Sequence, residues 1–236
     1  MINYNLYTMK SRVISFALAA VALLMTACNK PAKPVNLVMH TSMGDIALEL
    51  YDQTPAHRDN FVALVEQNYF DSLLFHRVIE GFMIQGGDPD SRYAEPGQFL
   101  GEGGPNYTVE AEIRTPEIFH KRGVLAAARE GNDVNPERRS SASQFYIVWG
   151  VVHTPESLAR QSERVEMRTG KPLRFTDEQY EAYTTIGGTP HLDGEYTVFG
   201  EVVAGLEVVE AIQKVATDAN DRPLEDIRIL SIERVE

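Results

Sequence analysis

One stretch of the chain, Phe75-His76-Arg77-Val78-Ile79-Glu80-Gly81-Phe82-Met83-Ile84-Gln85-Gly86-Gly87-Asp88, gathers residue types from which a binding chemistry could be built. Read as a strand, a tight bend at Gly81 and a second strand, it points Arg77 to one face and His76 and Val78 to the other. Arg77, Phe82, Met83 and Gln85 then make an apolar platform beside two hydrogen-bonding groups. Such a surface suits a peptide with a proline ring better than a phosphate or a metal. His76, opposite Arg77, reads as a structural histidine. Singly, Phe82 and Met83 would more often be core, and Arg77 a surface ion-pair partner; the grouping is what marks a site.

Other chemistries find little support. The six histidines are scattered, with no pair at helical metal-site spacing, and the chain has a single cysteine, so no zinc or other metal site is expected. Ser140, Ser141 and Ser143 lack the Gly-x-Ser-x-Gly context of a nucleophile elbow. Gly101-x-Gly103-Gly104 is not followed by a helical pattern and makes a poor dinucleotide loop. No cofactor is expected. The net charge of −12 would repel a nucleic-acid backbone, whose binding relies on Lys and Arg at phosphates.

The N-terminus is built for targeting. Lys10 and Arg12 precede an apolar run from Val13 to Leu24, and Met25-Thr26-Ala27-Cys28 follows. A short positive region, an apolar stretch and small residues describe an export signal over 1–27. The run is shorter than the roughly 20 residues of a membrane-spanning helix. Without residues 1–27 the chain keeps 20 basic against 34 acidic groups, a net of −14. The stretch resembles a bacterial lipobox, with Met25 at position −3 where the pattern prefers Leu. That implies cleavage before Cys28 and its acylation, giving an exported cell-envelope lipoprotein that meets a membrane only through its anchor. The alternative is an ordinary cleaved signal. Residues 28–35 read as a proline-stiffened tether.

The elements that must hold the site follow. Val35 to Ser42 and Asp45 to Tyr51 read as a hairpin around Met43-Gly44. Thr54 is placed as N-cap of a helix over 55–67 with Pro55 in its first turn. Tyr107 to Ile113, Val124 to Arg129, Gln144 to Trp149 and Tyr196 to Val203 read as short strands. Leu206 to Val215 is a second core helix, and Ile227 to Val235 closes the chain as a strand. Many short strands, glycine turns and two core helices predict a mainly β protein built as a closed antiparallel barrel. The interval 152–190 departs from this. Pro155 to Met167, capped by Thr154, and Thr176 to Thr184, capped at Thr176-Asp177, read as a helical insertion projecting from the barrel, too polar to bury a core of its own.

The stretch from Phe75 to Asp88 is similar, nearly residue for residue, to the signature of the cyclophilins. Gly123-Val124-Leu125-Ala126-Ala127-Ala128, Ser143-Gln144-Phe145-Tyr146-Ile147 and Leu192-Asp193-Gly194 with Thr197-Val198-Phe199-Gly200-Glu201-Val202 resemble three further segments of that family, in its order. The resemblance covers 36–236 apart from the insertion. It implies an eight-stranded cyclophilin-like barrel capped by two α-helices, acting as a peptidyl-prolyl cis/trans isomerase that assists folding of exported proteins. It assigns catalysis to Arg77, whose guanidinium would donate to the prolyl nitrogen and weaken amide resonance. It places Phe82, Met83, Tyr146 and Leu192 around the proline ring. Gln85 and Gln144 should hold the substrate backbone, helped by main-chain groups at Ala128 and Arg129, with Tyr196 also in the substrate site. Tyr146 stands where Phe is usual, Arg129 where many members have Asn, His191 where many have Trp and Tyr196 where many have His. Loss of the indole should weaken cyclosporin binding and leave catalysis intact. The chain is expected to act as a monomer on proline-containing polypeptides. A chaperone or interaction module with incidental turnover is the competing reading.

Overall fold

The chain enters its fold through a hairpin of β1 (Val35–Thr41) and β2 (Gly44–Leu50), in which Leu37, Met39, Ile46, Leu48 and Leu50 are buried at alternate positions. The turn is pinned by Thr41, whose hydroxyl donates to the Gly44 carbonyl at 2.6 Å and accepts the Met43 N–H at 3.1 Å. This computed structural model describes residues 35–235. The expected signal over 1–27, the lipid site Cys28 and the tether up to residue 34 lie outside the described residues.

Eight strands form one antiparallel sheet: β1, β2, β3 (Arg77–Ile79), β4 (Met83–Gly86), β6 (Val124–Ala127), β8 (Phe145–Val148), β9 (Val198–Ala204) and β10 (Ile229–Val235). Their spatial order is β10-β1-β2-β9-β6-β8-β4-β3. The sheet curls but does not close, which corrects the closed barrel expected from sequence. The edge strands β3 and β10 share no ladder, because β3 has three residues and β10 starts only at Ile229. Isolated links span the gap: a Leu74–Arg228 bridge, the Phe75 N–H to the Ile227 carbonyl, and the Val78 N–H to the Asp221 carbonyl.

The strand expected over 107–113 shrinks to β5 (Thr108–Val109), paired only with β7 (Ser140–Ser141). Beyond it Glu112 turns aside to other work. Its carboxylate accepts the N–H groups of Ala56 and His57 at the start of α1 (Pro55–Glu66), at 3.1 and 3.0 Å. Glu112 therefore caps this helix from a distant segment. The cap expected from Thr54 is not made, since its buried hydroxyl has no hydrogen-bond partner.

Among the described residues there are four α-helices. α1 and α4 (Leu206–Gln213) pack on the sheet through Phe61, Leu64 and Val65 and through Val209 and Ile212. α2 (Pro155–Thr169) and α3 (Asp177–Thr185) make up the insertion, and each opens with a capping box, at Thr154/Ser157 and Thr176/Gln179. The insertion docks through a small apolar cluster of its own, in which Leu158, Ala182 and Tyr183 pack with Phe119. Gly188 lets the backbones approach at this seam: a Cβ there would sit 2.3 Å from the His120 carbonyl oxygen and 2.7 Å from Tyr183 Cε1. No described helix is long and apolar enough to cross a membrane.

The central strands are apolar on both faces. In β8, Phe145 and Ile147 join the main core, while Tyr146 and Val148 join a second cluster on the other face. β6 repeats the pattern, with Leu125 and Ala127 in the main core and Val124 and Ala126 opposite. That second face carries the site.

Candidate active site

Register builds the site. Across the sheet Arg77 lies opposite Gln85, Gln85 opposite Tyr146, and Tyr146 opposite Ala126. Directly opposed residues have Cβ atoms about 5 Å apart, so one row places a guanidinium, an amide and an aromatic ring side by side on one face. Met83, two residues before Gln85, shares that face and is 2% exposed. Phe82, from the bend, and Leu192 and Tyr196, from the segment before β9, pack over the row.

These residues enclose a cavity of about 160 Å³ lined by Arg77, Phe82, Met83, Gln85, Ala128, Arg129, Tyr146, Leu192 and Tyr196. Its scale is that of a few waters or one small ring. Arg77 stands at the rim with its side chain 44% exposed. Its Nε donates to Asp221 Oδ2 at 3.3 Å, and among the described residues no hydrogen bond to its terminal amino groups occurs. Two donors thus remain beside an apolar notch.

Of the residues picked out in the sequence, Gln144 alone lies outside this cavity. Its amide donates to the carbonyls of Gly101 and Gly103, both at 2.8 Å, and accepts from Gln85 Nε2 at 3.1 Å. Gln144 therefore orients Gln85 and ties down the glycine loop. It also borders a second, longer groove of about 820 Å³, which continues from the first past Gln85, Ala128 and Arg129.

Both main-chain groups of Ala128 are engaged within the protein, its N–H to the Gln144 carbonyl and its carbonyl from the Ser141 N–H, at 2.9 and 2.8 Å. The Arg129 side chain, only 4% exposed, does more than the sequence suggested. It donates to the Glu195 carbonyl at 2.8 Å and to the Glu195 carboxylate at 3.2 Å, and its guanidinium lies 4.5 Å from the Tyr196 ring centroid. Tyr196 in turn meets Tyr146 edge-on at 5.9 Å. Phe82 is stacked on His191 at 5.6 Å, so an imidazole backs this wall of the cavity.

Two guanidinium groups line the cavity: that of Arg129 is ion-paired with Glu195, while Arg77 stands at the rim. Burial first, then Tyr196 and Asp193, raises the Tyr146 phenol well above its ordinary range, so it stays protonated. Its hydroxyl lies 3.0 Å from His120 Nε2, behind the cavity. His76 is buried with neither ring nitrogen hydrogen-bonded, and desolvation, its main cause, lowers its pKa to about 4. It carries no charge at neutral pH.

A second constellation looks like a hydrolytic relay. Ser140 Oγ is 2.9 Å from His57 Nε2, and His57 Nδ1 is 2.7 Å from Glu112. Ser140 and His57 are 1% and 3% exposed, so no substrate reaches the hydroxyl; the chain of bonds is structural. No cluster of metal-ligating side chains occurs among the described residues.

His120, Asp193, Glu195 and Asp221 support the site, and sequence reasoning gave them no role. Asp193 lay in view within Leu192-Asp193-Gly194, but its partner His120 stands 73 residues away.

Known proteins resemble this chain in sequence and in fold. The family model described as cyclophilin type peptidyl-prolyl cis-trans isomerase/CLD matches residues 36–234. The peptidyl-prolyl cis-trans isomerase CYP18-1 of Arabidopsis thaliana is 33% identical over 199 residues, spanning 83% of this chain and 92% of its own. A Staphylococcus saprophyticus protein named for the same activity is 36% identical over 210 residues, spanning 86% of this chain and 92% of its own. A cyclophilin-type isomerase structure from Cryptosporidium parvum is 25% identical with a TM-score of 0.63, covering 86% of this chain and 99% of that one. The same protein crystallised in the presence of the dipeptide Ala-Pro is similar at a TM-score of 0.60 and 26% identity, covering 84% and 96%.

Proposed function

The chain belongs to the cyclophilin-type peptidyl-prolyl cis-trans isomerases, and we propose that it accelerates rotation about X–Pro bonds with Arg77 as the catalytic residue. The observation that carries this is the cross-strand row of Arg77, Gln85 and Tyr146, with two unengaged guanidinium donors beside the cavity. Rotation breaks no bond. Amide resonance opposes it with a barrier of about 18–20 kcal/mol, and uncatalysed X–Pro exchange takes tens to hundreds of seconds. A donor directed at the prolyl nitrogen favours the pyramidal, lone-pair-localised state in which resonance is lost, so it binds the twisted amide better than either planar isomer. Arg stays charged at every working pH, and its fork keeps a fixed geometry.

The proline ring occupies the notch of Phe82, Met83, Leu192 and Tyr146, Gln85 holds the neighbouring carbonyl or N–H, and the longer groove takes the adjoining substrate residues. Gln144 acts by orienting Gln85. A protease-coupled assay on a proline tetrapeptide tests the reading. Wild type should accelerate exchange, and Arg77→Ala, folded by circular dichroism, should lose most of that rate. Turnover by Arg77→Ala near the wild-type level sinks the assignment.

The sequence supports export and anchoring as a second proposal. Lys10, Arg12, the apolar run and Cys28 in sequence motivate a cell-envelope lipoprotein that assists folding of exported chains as a monomer. Palmitate labelling should depend on Cys28 and vanish in Cys28→Ser; an unlabelled soluble mature form contradicts it.

A further inference from the structure

The floor of the cavity is connected to the insertion by a buried chain of hydrogen bonds. Beyond Tyr146, His120 Nδ1 lies 3.0 Å from Asp193 Oδ1, which also accepts the His120 main-chain N–H at 2.9 Å. The second oxygen, Asp193 Oδ2, accepts from the Tyr183 hydroxyl at 2.6 Å and from Gln179 Nε2 at 3.3 Å. Tyr183 and Gln179 belong to α3 of the insertion and are 0% and 1% exposed; His120 and Asp193 are 1% and 7% exposed.

Chemistry fixes the direction of these bonds. An ionised carboxylate only accepts, so His120 carries a proton on Nδ1, and with the ring neutral Nε2 is left as an acceptor. The Tyr146 hydroxyl then donates to Nε2, which turns it away from the cavity and leaves ring carbons as the floor. Burial, foremost, raises the phenols of both Tyr146 and Tyr183, so both persist as donors. Every donor in the chain therefore runs toward Asp193, and a fully satisfied buried network of this kind holds its members in one arrangement.

We propose that Tyr183 and Gln179 are positioning residues for substrate binding: by fixing Asp193 they fix His120, and through it the Tyr146 ring on which the proline ring rests. This rests on the proline-pocket reading above. The insertion then tunes affinity and leaves the chemistry to Arg77. A displaced floor weakens ground and transition states alike, which raises KM and spares kcat.

The test uses Tyr183→Phe, Tyr146→Phe and the double variant in the full chain. Tyr183→Phe should raise KM for a proline tetrapeptide about 3- to 10-fold with kcat within about 2-fold. In the Tyr146→Phe background, where the ring no longer hangs on His120, the same change should move KM by less than about 1.5-fold. Equal effects in the two backgrounds, or an unchanged KM in Tyr183→Phe, overturn the proposal. Should Tyr183→Phe fail to fold, Gln179→Met removes the 3.3 Å bond to Asp193 together with the 3.0 Å cap that its Oε1 accepts from the Thr176 N–H, and should raise KM about 2-fold under the same cycle. The ¹⁵N resonances of His120 read the network without turnover: a pure Nδ1–H tautomer is expected, and an Nε2–H tautomer overturns it. A wild-type chain that isomerises no proline peptide refutes the pocket reading, while the His120 tautomer still decides the connection.

Discussion

His76 offers a prediction whose size follows from its surroundings. The ring is 3% exposed, both nitrogens lack hydrogen-bond partners, and its pKa falls from 6.5 to about 4. Desolvation dominates, Asp88 pulls the other way, and Arg77 and Arg222 add to the lowering; the Leu74 carbonyl helps the charged form only weakly, outside hydrogen-bond geometry. Above pH 6.5 the ring is neutral in folded and unfolded chains and contributes no slope. Between 6.5 and about 4 the unfolded chain binds the proton first, so stability falls as pH falls and levels off below about 4. The shift corresponds to about 3 kcal/mol in all, of which about 2 kcal/mol is lost between pH 7 and 4.5. Urea unfolding of wild type and His76→Phe at those two pH values isolates this share from the carboxylates. The variant should lose about 2 kcal/mol less than wild type across the interval. Equal losses, or a His76 ring titrating near 6.5 by NMR, refute the reasoning.

The remaining predictions concern the rim and walls of the cavity. Asp221→Asn releases the Arg77 Nε, but both partners are more than 40% exposed and such pairs are worth about 0–1 kcal/mol. Its kcat/KM should therefore fall by no more than about fivefold, and a loss matching that of Arg77→Ala contradicts a merely steering Asp221. Arg129→Ala removes a buried strut and leaves Glu195 with Arg138 at 3.4 Å as its other partner. We expect a loss of about 2 kcal/mol, a Tm lower by about 4–8 °C, and a raised KM as Tyr196 loosens. Thermal unfolding unchanged from wild type would show that the Arg129 contacts carry no weight.

Local rules made much of the fold legible. Thr154 and Thr176 cap their helices because the partners, Ser157 and Gln179, stand three residues away in sequence. The apolar runs of β4, β6 and β8 betray strands covered on both faces, and the Arg77–Gln85 spacing around Gly81 puts both residues on one side of a hairpin. Long-range geometry was not legible. The cap of α1 comes from Glu112, 55 residues beyond His57, and no pattern near Thr54 announces it. Whether the sheet closes depends on where β3 and β10 run out, which propensity does not determine. The 107–113 run has strand-like residues but pairs only at Thr108 and Val109, where two serines meet it. His120 and Asp193 are 73 residues apart, so their bond, and the link it makes to α3, is a property of the folded chain alone.

The central claim is that the Arg77 guanidinium stabilises the twisted amide more than it binds the planar peptide. NMR exchange spectroscopy on a proline tetrapeptide at saturating protein measures on-enzyme cis/trans rates, and titration of the same peptide gives Kd. For Arg77→Ala the account predicts exchange about 100- to 1000-fold slower with Kd within about 3-fold of wild type. A variant that binds poorly yet exchanges its bound peptide at the wild-type rate would contradict it.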